Sequence, residues 1–188
     1  MFVDYLTLIM INVVAGLFIL VWFLWKGLDA EDKKPWAAAF FGVGLLSLIA
    51  GLQLSFTWPL PGPVNLAFGD TTVLFGITYL AASIALWQGW DLFPVSLLGF
   101  FSGISSVVYG LRIYNLGITQ TPFLSGLGFL LAGLAGVLSA PFLLWFKNNR
   151  VIRVIAILIV LAATAIWLVE FVGAAWGHMT LFANWVPK

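Results

Sequence analysis

The stretch YLTLIMINVVAGLFILVWFLW, residues Tyr5–Trp25, contains no charged residue. At a rise of about 1.5 Å per residue it would form a helix of about 31 Å. This length matches the hydrocarbon core of a bilayer, which is roughly 30 Å thick. The stretch therefore predicts a transmembrane helix, and it indicates the class of protein to which the rest of the chain belongs.

The composition of the whole chain supports the same class. Of its 188 residues, 63% are hydrophobic and 8% are charged, with a mean hydropathy of +1.11 and a net charge of +1. A soluble domain carries about 25% charged residues, so this chain lacks the charge to cover a water-facing surface. The composition excludes a soluble domain, a disordered chain and a nucleic-acid-binding protein. The chain has no cysteine, so it can form neither a disulfide nor a thiolate metal site.

Five further apolar segments follow the first, and together they predict an all-α, polytopic membrane protein. The six transmembrane helices are predicted to form a single domain over residues 1–188. The segments are residues 5–25, 36–56, 71–88, 93–113, 122–146 and 152–178. The connection from Trp58 to Asp70 contains three prolines and is predicted to be non-helical.

The distribution of lysine and arginine predicts the orientation of the bundle. The first, third and fifth connections share one side of a six-span protein, and together they hold six of the eight cations. Cationic loops face the cytoplasm. Both termini are therefore predicted to lie outside, in a multi-pass protein of the cell (inner or cytoplasmic) membrane.

Small residues at a spacing of four predict close contacts between helices. Gly99 and Gly103 have this spacing in the fourth segment, and Ala132, Gly136 and Ala140 have it in the fifth. The spacing does not decide whether the contacts lie within one protomer or between protomers. The pairs at residues 42–44 and 126–128 are also interpreted as packing glycines rather than phosphate loops, since they lie inside apolar segments.

Ionisable side chains near the membrane are a further signal, because they are costly in lipid and usually face the bundle interior. Glu170 follows sixteen uncharged residues, while Asp70, Arg112 and His178 lie near the predicted outer ends of their segments. With Tyr109 they predict an outer polar cluster, in which Arg112 lies within ion-pair reach of Asp70 or Glu170.

Three roles are open for this cluster. It could hold helices together, or it could line the path of a solute. Asp70, Glu170 and His178 could also bind a metal, but a single histidine and the lack of a fixed ligand spacing make this the weakest of the three. No nucleophile–histidine–acid set is present. We therefore predict no enzyme, no catalytic residue, no metal and no cofactor.

The third segment has the strongest features of a channel wall. Phe75, Thr78 and Tyr79 lie on one helical face and place two hydroxyls in mid-membrane, where each needs a partner or water. Such a face could line a narrow path for a small neutral solute. Alternatively, Thr78 bonds to a carbonyl of its own helix and Tyr79 bonds to a neighbouring helix.

These residues lie in a stretch that resembles a known family. The sequence LFGITYLAASIALWQGWDLFPVSLLGFF, residues 74–101, is similar to the third and fourth spans of the AmiS/UreI family of urea and short-chain amide channels. The similarity includes the turn Gly89-Trp90-Asp91. The last segment resembles the family's Glu and Ala-Trp spacing in Glu170–Trp176. The stretches FTWPLPGPVNLAFGD and YGLRIYNLGIT also resemble an uncharacterised family of bacterial and archaeal membrane proteins.

The first resemblance implies a passive channel or facilitator for a small neutral solute such as urea or an amide. It also implies a homo-oligomeric ring in the lipid bilayer, a hexamer by this resemblance, with one path per protomer. We predict that Phe75, Thr78, Tyr79 and Glu170 line this path. We predict that Trp167 and Trp176 shape its outer half.

The chain departs from the family at the aromatic constriction. The family's third-span aromatic residues fall where this chain has Ile77 and Ala81, and its fifth segment has no tryptophan before Trp145. By this comparison the aromatic constriction is absent, and the identity of the solute is not determined. The alternative function is that of an accessory structural subunit in a larger membrane complex, such as a respiratory or oxygenase assembly.

Overall fold

In a computed structural model that describes residues 5–184, the chain consists of six long helices joined by short connections. Each is long and apolar enough to cross a membrane. We number them as spans α1 to α6. Two of them end in a π-helical turn, namely α1 at Phe23–Gly27 and α5 at Phe142–Phe146. The bounds are α1 Tyr5–Gly27, α2 Lys34–Thr57, α3 Val64–Gln88, α4 Phe93–Leu116, α5 Pro122–Phe146 and α6 Arg150–Leu181. The prediction of an all-α protein with six transmembrane helices is confirmed.

The start of α3 corrects one prediction. The connection after α2 was expected to be non-helical as far as Asp70, but α3 begins at Val64, directly after Pro63. Proline disrupts a helix that precedes it, but it is well tolerated at a helix start, so the three prolines exclude a helix only before residue 64. Asn65 in the first turn accepts from the Leu60 N–H at 2.8 Å and donates to the Gly62 carbonyl at 3.1 Å. These bonds hold the connection against the helix.

The six helices pack in chain order and form a closed ring. Each span contacts the next one along the chain, and α6 returns to contact α1. The pairs α2–α3 and α4–α5 have the most extensive contacts. We call the end of the ring that carries residues 58–63 and 117–121 the outer end, in keeping with the orientation that the cations predict.

Glycine allows the closest of these helix pairs to form. A Cβ at Gly103 would lie 2.4 Å from the Val137 backbone nitrogen, and a Cβ at Gly136 would lie 2.7 Å from the Gly99 carbonyl oxygen. The predicted small-residue contact is therefore present between α4 and α5 of one protomer. In contrast, Gly42 has no atom within 4 Å of an added Cβ, so it is not a packing glycine within this chain.

A polar contact joins the first connection to the start of α6 at the inner end. Arg153 donates to both carboxylate oxygens of Asp29, and also to the Lys147 carbonyl at 2.6 Å. The guanidinium lowers the pKa of the Asp29 carboxyl below its ordinary value, chiefly through this hydrogen bonding. It is the only ion pair among residues 5–184.

Candidate functional site

The six helices surround a cavity of about 240 Å³, which has room for several water-sized molecules. Its lining comes from all six spans and extends along α3 from Phe68 to Leu86. This separation corresponds to about 27 Å of helix, which is nearly the thickness of a hydrocarbon core. No Asp, Glu, Lys, Arg or His residue of the described chain lines the cavity.

The wall of the cavity has a polar side and an apolar side. All of the hydroxyl groups in the lining belong to α3, α4 and α5, whereas α1 and the inner part of α6 contribute only aliphatic and aromatic side chains. The hydroxyl-bearing residues are Thr71, Thr72, Thr78, Tyr79, Ser96, Ser102, Ser106 and Ser139. The hydroxyl groups of the lining are therefore confined to one side of the cavity.

Three rings from three different helices meet at the outer end of the cavity. Phe68, Phe129 and Trp167 are all buried, and we call them the outer aromatic group. The centroids of Phe68 and Phe129 are 5.1 Å apart, those of Phe129 and Trp167 are 5.1 Å apart, and those of Phe68 and Trp167 are 6.0 Å apart, all edge to face. The group therefore occupies part of the interior of the ring of helices at this level.

The third-span positions from which the aromatic constriction was expected to be absent lie outside the cavity, so they do not decide whether the interior is narrowed by aromatic rings. The two positions compared in the third span, Ile77 and Ala81, do not line the cavity. Ile77 is exposed on the lateral surface of the bundle, and Ala81 lies in a separate groove beside α4. The three rings of the outer aromatic group come instead from residues that lie far apart in the chain.

A second set of rings lies near the middle of α3, and we call it the central aromatic group: Phe40, Phe75 and Tyr79. Phe40 stacks on Tyr79 with centroids 5.1 Å apart, and Phe75 lies 4.2 Å from Tyr79. The Tyr79 hydroxyl donates to the Gly16 carbonyl at 2.8 Å, and Thr78 donates to the Leu74 carbonyl at 2.8 Å. Both predicted hydroxyls thus have partners in the protein, although both residues line the cavity.

Glu170 and Trp176 lie away from the cavity lining. Glu170 accepts hydrogen bonds from Thr121 at 2.6 Å and from Ser125 at 2.7 Å, and so it binds α6 to the first turn of α5. A carboxylate is favourable there because the N-terminus of a helix carries partial positive charge. Trp176 is 79% exposed on the outside of the bundle. Of the six residues predicted to form the path, the cavity contains Phe75, Thr78, Tyr79 and Trp167.

The predicted outer polar cluster is divided in the structure. Tyr109 donates to Asp70 at 2.7 Å, but Arg112 is exposed and forms no ion pair with any residue in 5–184. The predicted pairing of Arg112 is therefore wrong. The buried position in this turn of α4 is Ile113, so Arg112 points outward, where a long side chain can reach water without a partner. The ring of His178 contacts Phe182.

The described residues also fail to assemble the alternative metal site. No group of three or more His, Cys, Asp or Glu side chains in residues 5–184 is close enough to hold a metal ion. Asp70 and Glu170 are each bonded to neutral hydroxyls instead.

Sequence reasoning missed a regular pattern on α4. Ser96, Gly99, Gly103 and Ser106 follow one another at intervals of three or four residues, and all of them line the cavity. The glycines had been interpreted as packing positions only. The serines lie on the same helical face as the glycines, and this pattern could have indicated that the face borders a cavity as well as a neighbouring helix.

Solved structures with the same fold are those of a urea channel. A cryo-EM structure of the Helicobacter pylori urea channel in a closed state aligns with a TM-score of 0.64 and 22% identity, covering 96% of this chain and 100% of that one. A crystal structure of the urea channel from Helicobacter pylori aligns with a TM-score of 0.58 and 21% identity, covering 95% and 99%. At these identities the likeness shows the fold.

No curated protein sequence matches the chain. A family model described as a protein of unknown function, DUF981, matches residues 1–180. This match spans all six helices and nearly all of the described residues. The chain is a multi-pass membrane protein with the fold of a urea channel, and it belongs to the DUF981 family.

Proposed function

We propose that this protein is a passive channel or facilitator for a small neutral solute, such as urea or a short-chain amide. The carrying observation is the long cavity inside one ring of six helices, which has hydroxyls along one side and no charged side chain in its described lining. An ion would meet no compensating charge there, whereas a neutral polar solute could exchange water for hydroxyl groups. The likeness of the fold to that of a urea channel supports the proposal.

In this proposal Phe75, Thr78, Tyr79 and Trp167 line the path, and no cofactor or covalent chemistry is involved. Glu170 supports the outer end from outside the cavity, and Trp176 has no part in the path. Each protomer forms one transmembrane domain and holds a path of its own, since the cavity is enclosed by the helices of one chain. We further propose a homo-oligomeric ring in the cell membrane with both termini outside. Because the chain has no cysteine, single-cysteine labelling at Lys33 would test the orientation.

The test is stopped-flow uptake into liposomes that contain the purified protein. The panel comprises urea, formamide and acetamide, with ammonium and sodium as charged comparisons. We expect the neutral solutes to enter faster than into empty liposomes, and we expect no acceleration for the ions. Acceleration of sodium entry would contradict the proposed selection for neutral solutes.

A blocking variant connects the flux to the cavity. Ala132→Phe places a ring in the lining one turn inward from Phe129, and it should reduce uptake to the level of empty liposomes. Ala165→Phe is the matched control, since Ala165 is exposed on α6 and does not line the cavity. Its flux should equal that of the wild type. If folded wild-type protein accelerates none of the neutral solutes, the channel proposal is wrong, and the accessory-subunit alternative becomes the better one.

A further inference from the structure

A groove lies on the outside of the bundle, along the inner part of the seam between α3 and α4. In mid-membrane the two helices meet, and the hydroxyl oxygens of Thr78 and Ser102 are 3.2 Å apart there. Nearer the inner end the seam opens, and we call this opening the α3–α4 groove. Its lining residues are Ala81, Ile84, Ala85, Trp90, Asp91, Pro94, Val95 and Leu98. The groove is therefore apolar except at its inner mouth, where Asp91 lies.

The position and depth of the groove suit one lipid chain. From Asp91 to Leu98 it extends over about 10 Å along α4, which is most of the hydrocarbon of one leaflet, about 15 Å. Ile84, Trp90 and Leu98 are exposed, so the groove is open to the side of the bundle that faces lipid. Val95 lines both the groove and the cavity. A chain in the groove would therefore pack against the outside of the cavity wall.

The charge at the mouth of the groove is negative, in contrast to the rest of the inner end. Six of the eight cations lie in the first and fifth connections, whereas the chain has no Lys, Arg or His between Lys34 and Arg112. The third connection, residues 89–92, therefore carries Asp91 as its only charge. Asp91 is exposed and forms no ion pair with any residue in 5–184. A lipid headgroup at this position would meet a carboxylate without a counter-charge from the described chain.

A second aspartate at the same end of the bundle provides a direct comparison. Asp32 accepts from the Lys34 N–H at 3.0 Å, and Asp91 accepts from the Phe93 N–H at 2.9 Å. Each therefore closes an Asx turn at the start of a helix, and each uses its Oδ1 atom to do so. Asp32 is followed by two lysines in the sequence, whereas Asp91 is followed by apolar residues and borders the groove. The two aspartates share a local role, but they differ in the charges around them.

We propose that the α3–α4 groove binds a phospholipid with a primary-amine headgroup, such as phosphatidylethanolamine, from the leaflet at the inner end. One acyl chain lies in the apolar groove, and the ammonium group donates to the Oδ2 atom of Asp91. Trp90 lies beside it at the level of the headgroups, where tryptophan side chains are common. An anionic headgroup is disfavoured because Asp91 repels it. A choline headgroup has no N–H, so it cannot donate a hydrogen bond to the carboxylate.

The test is photo-crosslinking of the full chain in liposomes. The probe is phosphatidylethanolamine with a diazirine in one acyl chain, and phosphatidylcholine and phosphatidylglycerol with the same chain are the comparisons. Mass spectrometry of peptides locates the labelled residues. We expect labelling of residues 81–98 to be roughly two- to fivefold higher with the ethanolamine lipid than with the choline lipid, the range that an exposed ion pair can supply. Labelling of the exposed face of α6 around Ala165 should not depend on the headgroup.

Two variants separate the headgroup from the chain. Asp91→Asn keeps the Asx turn and removes the charge, so it should reduce labelling by the ethanolamine lipid to the level of the choline lipid. Asp32→Asn is the matched control and should leave the ratio unchanged. Ala81→Phe fills the groove and should reduce labelling by all three lipids, with Ala165→Phe as its control. If Ala81→Phe does not fold, Asp91→Asn decides the matter, because it changes only an exposed side chain.

Three results would overturn the proposal. Equal labelling of the groove by all three lipids would mean that it contacts bulk lipid only. An equal change in the labelling ratio for Asp91→Asn and Asp32→Asn, or strongest labelling by phosphatidylglycerol, would show that Asp91 does not select the headgroup. A groove that no lipid labels, in a protein that is oligomeric by size-exclusion chromatography, would mean that a second copy of the chain covers it. None of these measurements uses solute flux, so the result does not depend on the channel proposal.

Discussion

The outer and central aromatic groups both line the cavity, but their polar atoms differ. In the central group, Tyr79 stacks between Phe40 and Phe75 on one side of the cavity, and its hydroxyl has a partner in α1. In the outer group, three rings from α3, α5 and α6 meet edge to face, and the indole N–H of Trp167 has no partner in residues 5–184. The central group therefore has its polar atom bonded to a neighbouring helix, whereas the outer group buries a polar atom that has no partner in the described residues.

The difference shows that aromatic content alone does not indicate which positions bury a polar atom without a partner. Phe75 and Tyr79 attract attention in the sequence because they are adjacent on one helical face. In the structure the Tyr79 hydroxyl already donates a hydrogen bond to the Gly16 carbonyl, and Phe75 has no polar atom to satisfy. The informative property is whether a buried polar atom has a partner, and only the packing of several helices reveals it.

The largest loss of stability should come from a substitution at Gly16, which packs against the central aromatic group. A Cβ at Gly16 would lie 2.7 Å from the Phe75 ring and 2.8 Å from Val43. We expect Gly16→Ala to destabilise the protein by about 1–3 kcal/mol through overpacking, measured by thermal melting in detergent. Gly42→Ala is the matched control, since nothing lies within 4 Å of an added Cβ there. Equal melting temperatures for the two variants would show that Gly16 is not tightly packed against the central aromatic group.

A smaller effect is expected from the contact that holds α5 and α6 together next to the outer group. Ser125 lies one turn from Phe129, and Glu170 lies one turn from Trp167. Glu170→Gln removes the charge that accepts two hydroxyl hydrogen bonds, and it should cost about 1.5 kcal/mol of stability. Because Glu170 does not line the cavity, flux per folded protomer should stay constant. Glu31→Gln, in the exposed first connection, is the control with no expected change. Altered flux with unchanged melting would place Glu170 on the path after all.

The Tyr79 hydroxyl provides a direct contrast to the Trp167 indole. Tyr79→Phe removes the bond to the Gly16 carbonyl and should lower stability by about 1 kcal/mol. Urea flux per folded protomer should not change, because this hydroxyl is already bonded within the protein. Tyr114→Phe, at an exposed tyrosine of α4, is the matched control for melting. A loss of urea flux in Tyr79→Phe without a loss of stability would mean that the central group binds the solute.

The smallest effect should be at Arg112. This side chain is exposed and without an ion pair in residues 5–184, so Arg112→Ala should change stability by less than about 0.5 kcal/mol. Arg153→Ala is the comparison, since it removes the contact with Asp29 and the Lys147 carbonyl. Chemical or thermal denaturation should show that Arg153→Ala is less stable than Arg112→Ala. A large loss at Arg112 would indicate a partner in another protomer.

Much of the architecture could be predicted from the sequence. The number of spans and five of their six starting points, to within about two residues, follow from local patterns. The spacing of the glycines also predicted close helix contacts, but the structure decided that these contacts join α4 to α5 of one chain. The bilayer forces this outcome, because every backbone polar group must be satisfied inside its own helix, so an uninterrupted apolar segment has few alternatives. The start of α3 was missed because the prolines before it were treated as excluding a helix on both sides.

The candidate site depended on tertiary structure to a much greater degree. Lipid and protein interior are similarly apolar, so hydropathy does not say which face of an apolar helix borders a cavity and which faces lipid. Trp167 and Trp176 lie on the same helix, yet one is buried in the lining and the other is exposed. Phe68, Phe129 and Trp167 lie far apart in the chain and meet only when α3, α5 and α6 pack together. The sequence alone determined that the chain spans the membrane six times, and helix packing decided which side chains a solute could meet.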